Sequence, residues 1–320
     1  MNNPLVSIII PTFNRAHLID ETLNSVLAQR YTNWECIVVD DGSMDATDEL
    51  MASYCLKDSR FKYYHRPSDK IKGASSCRNI GLFKAIGDYV IFLDSDDLLI
   101  ENCLENRIQR LKKYPNDFFL VFPMFIEDHN KKRMRVKIPE VNDFLTEFLS
   151  SKIHWQTMCT LWDIQFLKQI NGFNELYPRL NDPEIHIRAL LEANGHYKVL
   201  YNDEPDSIYR IDVNAKNNID FSLKYYESLI LLIPDISKKL IEKGKTNHIS
   251  FLRGYLKEYM NNFFKLNTRK NNIKLFKCFY KNSVISFYQF LYLSILYYSF
   301  FIFYFYSEKT KRRINNFFDS

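Results

Sequence analysis

Short apolar runs alternate with amphipathic stretches through the first half of the chain. Residues 5–10, 35–39, 61–64 and 89–93 are branched or aromatic runs, each closed by polar or turn-forming residues, so each is predicted to be a strand. Between them Leu18, Ile19, Thr22, Leu23, Val26 and Leu27 recur at helical spacing, as do Ile80, Phe83 and Ala85, and these positions are assigned to helix faces on the core. Strand and helix in alternation predict an α/β fold: a mainly parallel, Rossmann-like sheet flanked by helices, with ligands at the carboxyl ends of the strands.

Further on, residues 118–125 read as another strand and the basic run 131–137 as a solvated hairpin or loop. Residues 142–209 are mixed, with a helix expected over 183–192 and strands over 197–200 and 207–211. After Ala215 the pattern turns helical and aromatic. Charge changes at the same place: residues 1–215 carry 25 basic and 31 acidic side chains, residues 216–320 carry 18 and 7. The expected division is a catalytic domain over 1–215 and a helical, basic and aromatic extension over 216–320. An acidic catalytic part suits a divalent cation, and a basic aromatic part suits an anionic membrane surface better than nucleic acid. Six scattered cysteines without a CxxC pair argue against zinc or a disulfide framework and fit a reducing, cytosolic setting. The first residues run into a strand without a charged leader, so the catalytic part is expected to stay in the cytosol.

Two constellations stand at strand exits. Pro11-Thr12-Phe13-Asn14-Arg15 follows the first strand, and Asp40-Asp41-Gly42-Ser43 ends the second. Backbone groups of one loop and a carboxylate of the other suit a nucleotide base, since a carboxylate accepts the hydrogens of the base; the same residues also serve as ordinary turn formers, and Asp45 and Thr47 as helix caps. Gly73-Ala74-Ser75-Ser76-Cys77-Arg78-Asn79 precedes the fourth strand, and Asp94-Ser95-Asp96-Asp97 follows it. Three carboxylates within four residues repel unless a cation joins them. Mg²⁺ or Mn²⁺, completed by diphosphate oxygens and water, fits a D-x-D there; Ser-Asp-Asp could instead cap a helix over 98–113.

PTFNR, VDDGS, GASSCRNIGL, GDYVIFLDSDD, NGFNE and NDPEIHIRAL, in that order, resemble the family 2 glycosyltransferases over about residues 5–210. The resemblance implies the GT-A fold and sugar transfer with inversion from a nucleotide donor, often a UDP-sugar, to a hydroxyl of a glycan or lipid-linked glycan in cell-surface polysaccharide synthesis. It implies Thr12 and Asp41 at the nucleobase with Asp40 nearby, Arg78 at the nucleotide, Asp94 on the ribose or sugar side and at the metal, and Asp96 at the metal. It also makes Asp182 the general base, although Asn181 stands where an acid is common and Asp182 could instead be a helix N-cap before Pro183.

His154, Trp155, Trp162 and His186 suit either an acceptor pocket or a core and are left out of the catalytic set. A nucleotidyltransferase would need a Gly-rich or basic triphosphate loop near the first strand, and PTFNR has one basic residue and no glycine. A non-catalytic nucleotide-sugar-binding or scaffold protein is disfavoured by Asp94, Asp96 and Asp182. Residues 282–307 contain no charge but six tyrosines between 288 and 306, which predicts contact with the cytosolic face of a membrane; an interfacial helix, a span and a buried helix all remain open.

Overall fold

In the computed structural model, residues 3–211 and 219–302 are described, side chains of 296–302 excepted. The first half forms strands and helices in alternation: β1 (Val6–Thr12), α1 (Ala16–Leu27), β2 (Trp34–Asp40), α2 (Thr47–Lys57), β3 (Phe61–His65), α3 (Ala74–Lys84) and β4 (Tyr89–Phe92). There follow β5 (Leu98–Leu99), α4 (Cys103–Leu111), β6 (Phe119–Val121), β7 (Phe125–Glu127), β8 (Arg133–Arg135), α5 (Phe144–Leu149), β9 (Thr160–Asp163), α6 (Ile164–Gln169), α7 (Asn181–Ala193), β10 (Tyr197–Val199) and β11 (Ser207–Arg210). The last part is helical: α8 (Ile219–Glu242), α9 (Arg253–Asn262), α10 (Arg269–Lys281) and α11 (Phe287–Ile302).

Seven strands make one sheet in the order β10-β6-β9-β4-β1-β2-β3, parallel except where β9 runs against β4 and β6. Every residue of β1 and β2 is buried, which is why these strands read as continuous apolar runs rather than alternating ones. The chain builds outward from β1 through β2 to β3 and then returns to the other side of β1 with β4, so strand order reverses beside β1, where ligands bind in open α/β sheets. A second sheet, β5-β11-β7-β8, is tied to α4 by Arg107, which is fully buried and grips both oxygens of Asp206 at 2.8 and 2.6 Å.

Three local expectations are corrected. The single strand over 118–125 is two strands in different sheets, parted at Pro123, which has no N–H to give a ladder. The helix over 98–113 begins at Cys103, because Leu98 and Leu99 pair with Ile208 and Ser207 instead. Phe83 is 81% exposed rather than core. On α3 the residue that meets the sheet is Gly81, where a Cβ would stand 2.4 Å from Ile9 Cγ2, and that contact turns position 83 outward.

The chain divides into two compact units, and the second is not a simple C-terminal piece. Residues 1–141, 154–176 and 188–213 form the first; residues 142–153, 177–187 and 214–320 form the second. The second unit accounts for many of the chain's aromatics, for Tyr225, Tyr255, Tyr259, Phe264, Phe276 and Phe279 are buried in it with Leu229, Leu232, Ile233, Ile236 and Leu240 of α8. Gly254 of α9 lies so close to the Ser150 carbonyl that a Cβ would stand 2.0 Å from its oxygen. All six cysteines are free. Among the described residues no helix is long and apolar enough to cross a membrane, and residues 303–307 of the uncharged stretch lie outside them.

Candidate active site

Thr12 and Asp40 are paired across β1 and β2, so the two loops leave the sheet side by side. They are then stitched together. Asp41 N–H donates to Thr12 O at 2.9 Å, Asn14 N–H to Ser43 Oγ at 2.8 Å, Met44 N–H to Asn14 Oδ1 at 2.8 Å and Ala16 N–H to Asp45 Oδ2 at 3.0 Å. The two adjacent acids part company here. Asp40 is fully buried and takes the N–H groups of Gly42 and Ser43 at 2.6 Å each on Oδ1, and the Tyr63 hydroxyl at 3.1 Å on Oδ2, so it is the turn former. Asp41 instead accepts Arg66 Nε at 2.5 Å, and Arg66 also reaches the carbonyls of Pro67 and Lys70. Beside them Thr12 Oγ1 is buried and makes no hydrogen bond among the described residues. A buried hydroxyl without a partner is costly, and a ligand that met it would remove the cost.

The third loop joins the first. Beyond β4, Asp97 N–H donates to Asp94 O at 3.0 Å and closes a turn; Asp94 accepts Arg78 Nη2 at 2.5 Å, and Asp96 lies 3.8 Å from the guanidinium of Arg15. Arg78 is buried on α3, its guanidinium 5.1 Å from the Phe173 ring centroid. The turn is braced from β11: Arg210 N–H donates to Asp97 Oδ1 at 2.9 Å, Arg210 Nε to the Asp96 carbonyl, and its guanidinium pairs with Glu21. Burial, and next the Asp94 carboxylate, hold the Asp96 carboxyl above its ordinary pKa despite Arg15; burial pushes Asp97 well above. Carboxylates so placed are of the oxygen-donor type that could hold a hard divalent cation, while Asp97 is spent on the brace. Among the described residues no three His, Cys, Asp or Glu side chains are grouped to hold a metal.

The NGFNE stretch is locked to α3. Asn79 accepts Phe173 N–H at 2.9 Å and donates to Phe173 O at 2.9 Å and Glu175 Oε1 at 2.8 Å, and Ser76 Oγ donates to Glu175 Oε2 at 3.1 Å. Arg188 of α7 donates to the carbonyls of Ile170 (2.5 Å) and Gly172 (2.6 Å). Two of the sequence motifs thus act by holding one turn in place.

Asp182 belongs to the second unit. Asn181 already opens α7 after Leu180, whose φ is 60°, so Asp182 sits within the first helical turn instead of capping it from outside. Its carbonyl bonds to Nδ1 of the fully buried His186 at 2.7 Å; because a carbonyl only accepts, that nitrogen carries the proton. Burial pushes the His186 pKa down to about 4. Trp155 and Trp162 are buried as well, so with His186 they are core. Sequence reasoning missed Arg66 and Arg210 and gave Arg15 no role. A lone arginine after a strand carries no spacing signal, and only the fold brings residues 21, 96 and 210 together.

A seven-stranded, mainly parallel sheet with an acidic turn at its reversal point and a helical C-terminal region is the GT-A class of fold. The chain belongs to glycosyl transferase family 2, whose model matches residues 7–169. It is similar to UDP-Glc:alpha-D-GlcNAc-diphosphoundecaprenol beta-1,3-glucosyltransferase WfgD of Escherichia coli, at 42% identity over 113 residues, covering 35% of this chain and 43% of WfgD. Among solved structures it is similar to Staphylococcus aureus TarS 1–349 in complex with UDP-GlcNAc, with TM-score 0.66, 21% identity and coverage of 87% of this chain and 80% of that one. It is also similar to the mannosyltransferase PcManGT from Pyrobaculum calidifontis in complex with GDP-Man and Mn²⁺, with TM-score 0.55, 16% identity and coverage of 86% and 79%. At these identities the structural likenesses carry the fold. The chain spans 18%, 18% and 15% of the length of the first three curated relatives it matches, and 42% and 43% of the next two.

Proposed function

We propose that this chain is an inverting, metal-dependent glycosyltransferase that moves a sugar from a nucleoside diphosphate donor, a UDP-sugar first among candidates, to a hydroxyl of a glycan or lipid-linked glycan. The observation that carries this reading is the meeting of three strand-exit loops, which sets Thr12, the Asp41–Arg66 pair and the Asp94–Asp96 turn around the point where the sheet order reverses. Thr12 and Asp41 would take the base, with Asp40 shaping the loop behind them. Arg78 would keep Asp94 aimed.

In transfer, an acceptor hydroxyl gives its proton to Asp182 as its oxygen bonds to the anomeric carbon, and the bond from that carbon to the diphosphate oxygen breaks on the opposite face. The diphosphate leaves with the electron pair, and inversion follows from the single displacement. Asp94 and Asp96 would hold Mn²⁺ or Mg²⁺, which when bound supplies the positive charge that the departing diphosphate needs. One carboxylate suffices as base, unlike the two that glycoside hydrolases use. The roles of the individual residues are carried by the sequence motifs and their chemistry. WfgD, named for a lipid-diphosphate-linked acceptor, and the UDP-GlcNAc of the TarS complex and the GDP-Man and Mn²⁺ of the PcManGT complex support the substrate class and the cation. A lipid-linked acceptor would bring the enzyme to the cytosolic face of a membrane.

The test is a panel of nucleotide sugars offered to the purified chain with and without Mn²⁺ or Mg²⁺, read by thermal shift and diphosphate release. At least one UDP-sugar should raise the melting temperature and release UDP only with the cation. Equal release in excess EDTA would remove the metal from the scheme, and indifference to the whole panel would favour a scaffold.

A further inference from the structure

α10 and α11 together present a face that nothing in the described structure covers. On α10, Lys270, Lys274, Lys277 and Lys281 are spaced i, i+4, i+7 and i+11, which places them on one side of the helix, and all four are exposed. Asn272, Leu275, Phe276 and Phe279 fill the opposite side. None of the four lysines is in a salt bridge among the described residues, and the sequence from 259 to 307 holds Lys265 and Arg269 besides but no acid at all. At the end of this lysine row stands Tyr280, 39% exposed, its ring 6.0 Å from that of Phe287 and 5.3 Å from that of Phe290 on α11. From there α11 carries a second row: Phe287, Tyr288, Leu291, Tyr292 and Ile295 share one face and are exposed, Tyr288 at 82% and Ile295 at 56%, while Leu293 on the other side is buried.

An apolar aromatic row continuous with a row of uncompensated lysines matches one environment in both its parts. The lysines meet anionic headgroups, and the aromatic and aliphatic side chains enter the boundary between headgroups and acyl chains, where tyrosine is at home. We propose that this α10–α11 face docks peripherally on an anionic lipid bilayer. The inference deepens the membrane part of the proposed function, and its test needs no sugar transfer.

The 320-residue chain is floated with phosphatidylcholine vesicles with and without about 30% phosphatidylglycerol, at about 0.05 and 0.5 M NaCl. Expected are strong partitioning to the anionic vesicles only, a drop of about tenfold or more at high salt, and a similar drop for K274E/K277E/K281E. The variant L291S/I295S should lose binding at both salt concentrations. Nucleotide affinity, read by thermal shift, should be the same in all variants, so a failure of the glycosyltransferase reading would show there and leave the vesicle result standing. Unchanged partitioning of the charge-reversed chain would overturn the proposal. So would failure of the wild type to bind, whether light scattering finds a dimer, with the face covered by a second copy, or a monomer, with it covered by the rest of the chain.

Discussion

At the scale of single residues, Asp40 and Asp41 show how far neighbouring carboxylates can differ. Asp40, itself buried, satisfies two backbone N–H groups and a tyrosine hydroxyl in a part-buried turn, so Asp40→Ala should lower stability by about 1–3 kcal/mol in urea titration, the scale of the hydrogen bonds lost where water only partly replaces them. Asp41→Asn should cost nucleotide affinity at least tenfold, measured by calorimetry with UDP, with a smaller effect on folding. Should the two variants exchange these phenotypes, the assignment of turn former and ligand-facing acid is reversed. For Asp182→Asn kcat should fall about 10² to 10⁴-fold with donor affinity nearly unchanged, as befits a base acting on the acceptor. Collapse of nucleotide-sugar binding would move Asp182 to the donor site or the scaffold.

At the scale of elements, α7 carries both a buried histidine and the arginine that grips the NGFNE turn. His186 titrates near 4 in the fold against about 6.5 unfolded, so between these values the unfolded chain binds the extra proton. Its contribution is therefore fully present above about pH 6.5 and is lost as pH falls towards 4, by up to about 3 kcal/mol. Urea midpoints of wild type and His186→Gln, compared from pH 7.5 to 4.5, should converge as the wild type loses this margin; a constant gap would mean that His186 binds its proton equally well in the folded and unfolded chain. Arg188→Met should destabilise by about 2–4 kcal/mol, because two buried carbonyls lose charge-assisted donors, and the loss should appear in a denaturant melt even without ligands. A melting curve indistinguishable from wild type would show that the turn holds without it.

At the scale of the whole molecule, the α/β core was legible because its strands are buried on both faces and its loops follow them directly. Periodicity located β1, β2, β3 and β4 to within one or two residues, while it merged β6 with β7 and missed β5, since strands of two or three residues leave no period to read. The motifs pointed to loops that the sheet brings together but not to their partners. Arg66 meets Asp41 across 25 positions of sequence, and Arg210 meets Asp96 across 114 and Glu21 across 189, and such contacts exist only once the sheet order is known. Charge counting assigned the chain two successive parts, whereas the second compact unit also gathers residues 142–153 and 177–187, a long-range packing that composition does not record.

The central claim is metal-dependent transfer with inversion, and proton NMR of a single reaction tests it most directly. The wild-type chain and Asp96→Ala, both shown to be folded by circular dichroism, are mixed with the UDP-sugar found in the panel, an acceptor glycan and Mn²⁺, and the anomeric signals are followed. The wild type is expected to convert an α-linked donor into a β-linked product with release of UDP, and Asp96→Ala to slow this by about 10³-fold or more, the scale of losing the charge that stabilises the leaving diphosphate. Retention of the donor's configuration, or turnover by Asp96→Ala at the wild-type rate, would contradict it.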